Sequence, residues 1–394
     1  MHNHSSATSL EGIRVVELGG SVAVPYGTWI LARLGASIVK VERPETGDDA
    51  RAWSSTRYNG FSTLFAALNS GKKSVVVDLK DSRQRDILRN YIIQKADVVV
   101  QNLRPGVVES FGLDADRLLS EKPELIYCNV SAFGVQGPLA GKPGYDPLMQ
   151  AFTGLMSVTG EPDAPPVRVG TSIVDMGTGM WCAIGILSAL QNKARTGRGE
   201  RIDTSLFETG LGWMTYHASS FFGAGKIAGK NGSGTASIAP YQAYRCQDGY
   251  LVIAAGNNRL FAKLGLALGQ DDWSCDERFS SNEQRLKNSK ALNELIEAVT
   301  MTAPRSEWQK RLDEVSIPNA LIQNVEEAVS HPQTKATEIV QQTDDGHFQL
   351  MGLPILFDGK RPPQSEGPPE LGEHDNELLT SAEVVGLTSG GQVK

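Results

Sequence analysis

A carboxylate that closes an apolar run and opens a glycine-dotted segment is the strongest chemical feature of this chain. It is Asp175, in Arg168-Val-Gly-Thr-Ser-Ile-Val-Asp175-Met-Gly-Thr-Gly179-Met. Beyond it Met176, Met180, Ile184 and Leu187 recur three or four residues apart, the period of a helix. Gly177, Gly179 and Gly185 leave one side of that helix bare, so a ligand or another backbone can approach closely. Two roles are open for Asp175. As a helix N-cap it would accept backbone N–H groups, since Asp is a favoured cap. As a nucleophile it would be kept ionised by the helix N-terminus, and the glycines would admit a substrate to it.

Cations form the second group. Arg43 follows an expected strand, Lys72 and Lys73 precede the next, and Arg104 follows another at Asn102-Leu-Arg-Pro-Gly106. Singly, each is an ordinary surface charge. Repeated at strand boundaries, they suit the phosphates of a nucleotide-like ligand, because open α/β sheets bind ligands at strand ends.

The elements that must position these groups alternate. Ile13–Leu18 reads as a strand ending at Gly19-Gly20, Pro25 fits the first turn of a helix that stops at Gly35, and Ser37–Glu42 is the next strand. Further strands are expected at Ser74–Asp78, Ala96–Val100, Leu125–Val130 and Ile202–Leu206, with helices over 82–94 and from Asp175 to about Lys193. This predicts an α/β fold: a Rossmann-like large domain on a parallel sheet, spanning residues 1–225 and returning over 326–394. Between them, residues 226–325 are expected to form a smaller α+β domain, entered through the glycine-rich stretch 223–234, with Tyr250–Ala254 as a strand and helices over 259–268 and 283–301. Pro362-Pro363 and Pro368-Pro369 mark an extended tail, and Leu371-Gly-Glu-His374 starts a short terminal helix.

Composition bounds the function. Hydrophobic residues are 40% and charged residues 21% of 394, as in soluble globular enzymes. A net charge of −7 argues against nucleic acid or an anionic membrane as a main partner. Cys128, Cys182, Cys246 and Cys275 are scattered, with no C-x-x-C pair, which suggests reduced thiols in the cytoplasm. The N-terminus lacks an apolar signal-peptide core, and no uninterrupted apolar stretch approaches the ~20 residues of a membrane span.

A βαβ opening with Glu42 at the end of its second strand invites an NAD-dependent oxidoreductase. The first loop opposes it: Gly19-Gly20-Ser-Val-Ala-Val-Pro25 lacks G-x-G-x-x-G, and Pro25 removes an amide donor. A CoA-binding regulator without activity is the other alternative.

Taken in order, the motifs resemble the class III coenzyme A transferases, the family of formyl-CoA and L-carnitine CoA-transferases. The landmarks are Leu34-Gly-Ala-Ser-Ile-Val-Lys-Val-Glu-Arg-Pro44, Asn69-Ser-Gly-Lys-Lys-Ser74, Asn102-Leu-Arg-Pro-Gly106, Gly144-Tyr-Asp146, Val174-Asp-Met-Gly-Thr-Gly179, Ile202-Asp-Thr-Ser-Leu206 and Ala254-Ala-Gly-Asn-Asn258. The resemblance implies that Asp175 is the nucleophile and that Ala23, Arg43, Lys72, Asn102 and Leu103 line the CoA site, with Lys142 near the phosphates. Gly256 begins the segment similar to the family's mobile loop over the active site. Gly20 stands where some members carry a His, and Ser110 where many carry an Arg. The resemblance also implies an intertwined homodimer, CoA as co-substrate rather than a permanently bound cofactor, and no metal.

The segment Ser237-Ile-Ala-Pro-Tyr-Gln-Ala-Tyr244 looks most like the dicarboxylate branch, such as succinyl-CoA–glutarate CoA-transferase, although Thr235 and Ala236 occupy a neighbourhood where members often carry a His. Succinyl-CoA is the expected donor, and glutarate, itaconate, mesaconate, citramalate and malate are candidate acceptors. A diacid transferred at one end leaves its second carboxylate in the pocket, where an unpaired charge is costly. Ser237, Tyr241, Asn257 and Asn258, with Arg168 as the cation, are the expected partners of that group.

Overall fold

The computed structural model describes residues 9–364 and 366–378. Valine- and isoleucine-rich runs form the strands, and segments with apolar residues three and four apart form the helices between them. The first elements are β1 (Arg14–Leu18), α1 (Ala23–Arg33), β2 (Ser37–Glu42), β3 (Lys73–Val76), α2 (Ser82–Lys95) and β4 (Val98–Gln101). They are followed by β5 (Ile126–Ser131), α3 (Asp146–Phe152), α4 (Ile173–Thr196), β6 (Arg201–Ser205) and α5 (Leu206–Trp213).

The six strands form one sheet in the order β3-β2-β1-β4-β5-β6. Every pairing in it is parallel, with Val15 opposite Ile38 on one side and Val98 on the other. This is a mixed α/β fold on a parallel sheet. All four residues of β4 are buried, as a strand covered on both faces requires. One apolar layer joins the sheet to α1 and α4 through Val24, Leu31, Cys182 and Ile186. The other joins it to α2 through Leu88 and Ile92. From β1 the chain moves outward to β2 and β3, then returns to β4 on the opposite side of β1. The loops after β1 and β4 therefore diverge and leave a crevice at the carboxyl ends of the strands.

The glycines of α4 receive protein rather than ligand. A Cβ on Gly179 would lie 2.6 Å from the Ala23 carbonyl oxygen and 2.9 Å from the Gly27 nitrogen, and one on Gly27 would lie 2.8 Å from the Gly179 oxygen. Helices α1 and α4 thus cross backbone against backbone. Gly177 faces the Trp213 ring and Gly185 faces Ile202. By length and composition α4 could also cross a membrane. Its Val174, Cys182, Ile186 and Ala189 are instead buried in the core.

The chain divides into two compact units, one of residues 1–155, 169–216 and 332–394, the other of residues 156–168 and 217–331. The second unit carries β7 (Tyr241–Cys246), β8 (Gly249–Ala254), α6 (Asn258–Ala267), α7 (Asn282–Lys287), α8 (Ser289–Thr300) and β9 (Asn319–Leu321). Its sheet is antiparallel, in the order β9-β8-β7. The helix expected over 283–301 is two helices, because the Asn288 side chain donates to the Gln284 and Arg278 carbonyls and interrupts the turn.

A helix starts at Asn376, directly after a turn over residues 371–375. There His374 N donates to the Ser74 carbonyl and Asp375 Oδ1 accepts from Val76 N, so the motif covers the free edge of β3. Residues beyond 378 lie outside the described residues.

Adding one methyl at the helix crossing should be expensive, since backbone atoms cannot swing aside. Gly179→Ala is expected to lower stability by about 1–3 kcal/mol through overpacking, read as a fall in the denaturant midpoint at constant slope. An unchanged midpoint would mean the two helices separate easily.

Candidate active site

The carboxyl ends of the six strands open into a cleft of about 990 Å³. Gly19, Gly20 and Ser21 follow β1, Arg43 and Asp48 follow β2, and Asp78, Leu79 and Lys80 follow β3. Asn102, Leu103 and Arg104 follow β4, Phe133 and Gly134 follow β5, and Asp175 reaches the same space from α4. Of the residues expected at the CoA site, Ala23, Arg43, Asn102, Leu103 and Lys142 line this cleft together with Asp175. Asn102 holds the first loop by two bonds, its Nδ2 donating to the Gly20 oxygen at 3.0 Å and its Oδ1 accepting from Gly20 N at 3.1 Å.

Lys72 is elsewhere. It is buried, and its ammonium donates to Glu17 Oε2 at 2.9 Å, to the Pro25 carbonyl at 2.9 Å and to Asn69 Oδ1 at 3.0 Å. All three of its protons point into protein, so it offers none to a phosphate. The physical reason is strand direction: Lys72 and Lys73 precede or open β3, whereas the ligand end of a parallel strand is its carboxyl end. The cation at that end is Lys80, exposed on the cleft wall.

Arg43 pairs with Asp49 and donates to Thr46 Oγ1. Lys80, Arg104 and Lys142 form no ion pair among the described residues, so three cations on the cleft are uncommitted. Ser110 is exposed, and its hydroxyl bonds the Val107 carbonyl.

Under the first loop lies a buried ionic cluster. Lys40 Nζ contacts Glu17 Oε1 at 2.6 Å, Asp48 Oδ2 at 2.8 Å and the Gly19 carbonyl at 2.9 Å. Asp48 Oδ1 accepts from Ser21 N and Ala50 N, both at 2.9 Å. With Lys72, two carboxylates meet two ammoniums. Burial opposes ionising Glu17, but Lys40 and Lys72 together outweigh it and hold its carboxyl below the usual range. Burial pushes Lys72 down to about 8. Glu42, which invited the NAD-dependent reading, is committed to Arg51 and Ser74.

Asp175 is the third residue of α4 and does not cap it. Its carboxylate accepts no hydrogen bond among the described residues. The cap comes from α3: Asp146 Oδ2 accepts from Val174 N at 2.7 Å and from Asp175 N at 3.2 Å, while Oδ1 takes the Gln150 amide at 2.6 Å. The positive end of the helix is therefore taken by Asp146 and does not keep Asp175 ionised. Burial, joined by the Asp146 charge, pushes the Asp175 carboxyl up to about 7. A carboxylate this basic, in a cleft and free of partners, is a competent nucleophile.

In the second unit, the residues expected to meet the acceptor cluster by themselves. Asn257 caps α6 by accepting from Leu260 N, and Ser237 Oγ lies 3.1 Å from Thr235 Oγ1. Tyr241 is exposed at the start of β7. A Cβ on Gly256 would come within 2.0 Å of Ile238, which places the 237–241 and 256–258 segments against each other. Two arginines here escaped the sequence reading. Arg285 is fully buried beside these segments. Arg259 is exposed in the first turn of α6 and has no ion pair among the described residues.

Comparison with known proteins agrees with this geometry. CoA-transferase family III matches residues 10–375. The chain belongs to that family. The acetyl-CoA:oxalate CoA-transferase of Acetobacter aceti is 36% identical, the match covering 92% of this chain and 93% of that protein. The succinate–glutarate CoA-transferase of Agrobacterium fabrum is 32% identical over 96% of this chain and 97% of its own. The crystal structure of a CAIB/BAIF family protein from Brucella suis superposes with a TM-score of 0.88 at 35% identity, covering 95% of this chain and 99% of that one. The protein is thus a CoA-transferase, which displaces the dehydrogenase and silent-regulator alternatives.

The raised Asp175 pKa sets a sign for stability. The folded protein holds this proton more tightly than the unfolded chain, where an aspartate titrates near 3.8. Ionising it therefore costs stability that accrues as pH rises from about 4 to about 7, since the folded state then binds more protons. Asp175→Asn is expected to melt above the wild type at pH 8, with the gap closing toward pH 4. An Asn variant that melts lower at pH 8 would show a stabilising carboxylate instead.

Proposed function

We propose that the protein moves CoA from an acyl-CoA donor, succinyl-CoA in our reading, to a dicarboxylic acid acceptor through an aspartyl-CoA thioester on Asp175. The observation that carries this is a half-buried, unpartnered carboxylate with a raised pKa on the same cleft as three uncommitted cations. Curated relatives named for glutarate, D-citramalate and mesaconate transfer support a diacid acceptor, and the relative named for oxalate widens the class to short diacids.

In the first half-reaction Asp175 attacks the thioester carbonyl, the C–S bond breaks, and CoA thiolate leaves a mixed anhydride. The thiolate then attacks the aspartyl carbonyl, releasing the donor's carboxylate and leaving CoA on Asp175. The acceptor carboxylate attacks that thioester, giving a second anhydride and thiolate, and the thiolate takes the acceptor's carbonyl. Asp175 returns as carboxylate. Each step exchanges one acyl bond for another, so no base or net proton transfer is needed. Backbone amides of the glycine loops stabilise the oxyanions.

For the CoA site we assign Lys80, Arg104 and Lys142 to phosphates, with Arg43, Asn102, Leu103 and Ala23 shaping the wall. Lys72 acts beneath the loop. For the acceptor we assign Ser237, Tyr241 and Gly256–Asn258, and add Arg259 beside Arg168 as a cation for the second carboxylate.

A second copy of the chain is the proposed partner. Trp181 and Ile184 on α4 and Leu148 and Phe152 on α3 are exposed by between 47% and 57% in the single chain, a large apolar surface for a monomer. A homodimer would cover it. Four free cysteines accord with a cytoplasmic location.

Three measurements test this reading. Asp175→Ala should abolish exchange while leaving CoA binding, and wild-type kcat/KM for acyl-CoA should rise with pH through about 7 as the free carboxylate forms. Retained exchange in the variant would remove Asp175 as nucleophile. Lys80→Ala or Arg104→Ala should raise the acyl-CoA KM more than they lower kcat, since contacts remote from the reacting carbon bind ground and transition states alike. In a panel of acids, diacids should exceed monoacids of equal length by about a hundredfold or more in kcat/KM, and Arg259→Ala should narrow that gap. Equal values for glutarate and a matched monoacid would end the diacid reading and leave the transferase intact.

A further inference from the structure

Arg285, on α7, is fully buried, yet no carboxylate among the described residues pairs with it. Burying a guanidinium this way is costly, and an unbranched apolar side chain could fill much of the same volume. What Arg alone supplies is a planar fork of five donors. Here the fork is used on a narrow set of acceptors. Nε donates to the Ala239 carbonyl at 2.7 Å, Nη2 to the Gly256 carbonyl at 2.9 Å, and Nη1 to Asn258 Oδ1 and the Phe279 carbonyl, both at 3.0 Å. Three of the four acceptors lie in the two segments assigned to the acceptor acid. The ring of Phe261 lies 4.7 Å from the guanidinium carbon and fixes its plane.

The same short helix grips one of those segments a second time. Asn282 Oδ1 accepts from Ala239 N at 3.1 Å, and its Nδ2 donates to the Ser237 carbonyl at 2.9 Å. Backbone bonds fix little of these stretches: residues 225–240 hold no helix or strand beyond an isolated bridge between Thr235 and Ile238, 255–257 fall between β8 and α6, and one bond, from Ala255 N to the Pro240 carbonyl at 3.0 Å, joins them. Side chains of α7 tie both down.

We propose that Arg285 is the positioning residue of the acceptor site, its guanidinium holding the Ser237–Pro240 segment against Gly256–Asn258 so that both present their donors to the acid as one body. The inference rests on the assignment of those two segments to the acceptor. It adds that their conformation, and with it the affinity for the acid, is set from beneath by a residue that never touches substrate. Binding of CoA itself, which needs only the cleft, does not depend on it.

The test uses the full-length enzyme and the variants Arg285→Lys, Arg285→Gln and Asn282→Ala, each first checked for cooperative thermal unfolding. Two readouts are compared: the Kd for free CoA, and the KM for the acceptor acid. Amide hydrogen exchange over 237–241 and 254–260 is measured alongside. Arg285→Gln is expected to raise the acceptor KM about tenfold or more, since small displacements of positioning groups cost this much. The Kd for free CoA should stay within about twofold, the exchange of both segments should quicken, and Arg285→Lys should recover some of the loss.

Asn282→Ala, which frees only one segment, should show a smaller effect of the same kind. Equal loss of CoA affinity and of acid affinity overturns the proposal, because a general structural role predicts that pattern. If both segments loosen while the acceptor KM stays fixed, the assignment of the segments to the acceptor is what fails. If the segments do not loosen, the positioning role of Arg285 fails whatever the kinetics show.

Discussion

Where α4 crosses α1 the two backbones touch, with Gly179 against Ala23 and Gly27, and the placement of Asp175 depends on that contact. A helix held this closely has little freedom to slide or rotate. Its first turn, which carries Asp175, is then fixed by the Asp146 carboxylate on the amides of Val174 and Asp175. The two constraints divide the work. Glycine packing sets the position of the helix, and Asp146 absorbs the charge of its N-terminus. The consequence is chemical: with those amides engaged, Asp175 is left with burial and a like charge as its main influences, and both raise its pKa.

The cleft keeps its charges in two layers. Beneath the Gly19–Ser21 loop, Glu17 and Asp48 meet Lys40 and Lys72 in a buried cluster whose charges cancel. Breaking such a set by removing one member leaves an uncompensated charge, so it stiffens the loop at high stakes. Above the loop, Lys80, Arg104 and Lys142 are exposed and unmatched within the unit. A polyanionic substrate would find a rigid rim and free cations, which suits binding remote from the reacting carbonyl.

How much of this was legible in the sequence depended on whether the signal was local. β2 was bounded correctly because its alternation ends at a Pro and a charge, and α1 because Pro25 and Gly35 mark its ends. Asp175 stood out because a carboxylate between an apolar run and a glycine pattern is a local oddity. Its cap was illegible, since Asp146 lies 29 residues away on another helix. Lys72 was misplaced through strand direction: a cation before a parallel strand and one after it look equivalent in sequence, but only the latter meets the cleft. Arg285 carried no local signal either. An arginine in a polar helical segment reads as surface, and only tertiary structure shows it to be completely buried.

The central claim is that CoA becomes covalently attached to Asp175. The most direct measurement is to mix the enzyme with acyl-CoA donor in the absence of acceptor, quench at low pH, and locate any added mass by peptide mass spectrometry. The account predicts one CoA per chain, less water, on the peptide that contains Asp175, lost again when acceptor acid is added before the quench. An enzyme that turns over yet shows no added mass there, or carries CoA on another residue, would contradict it.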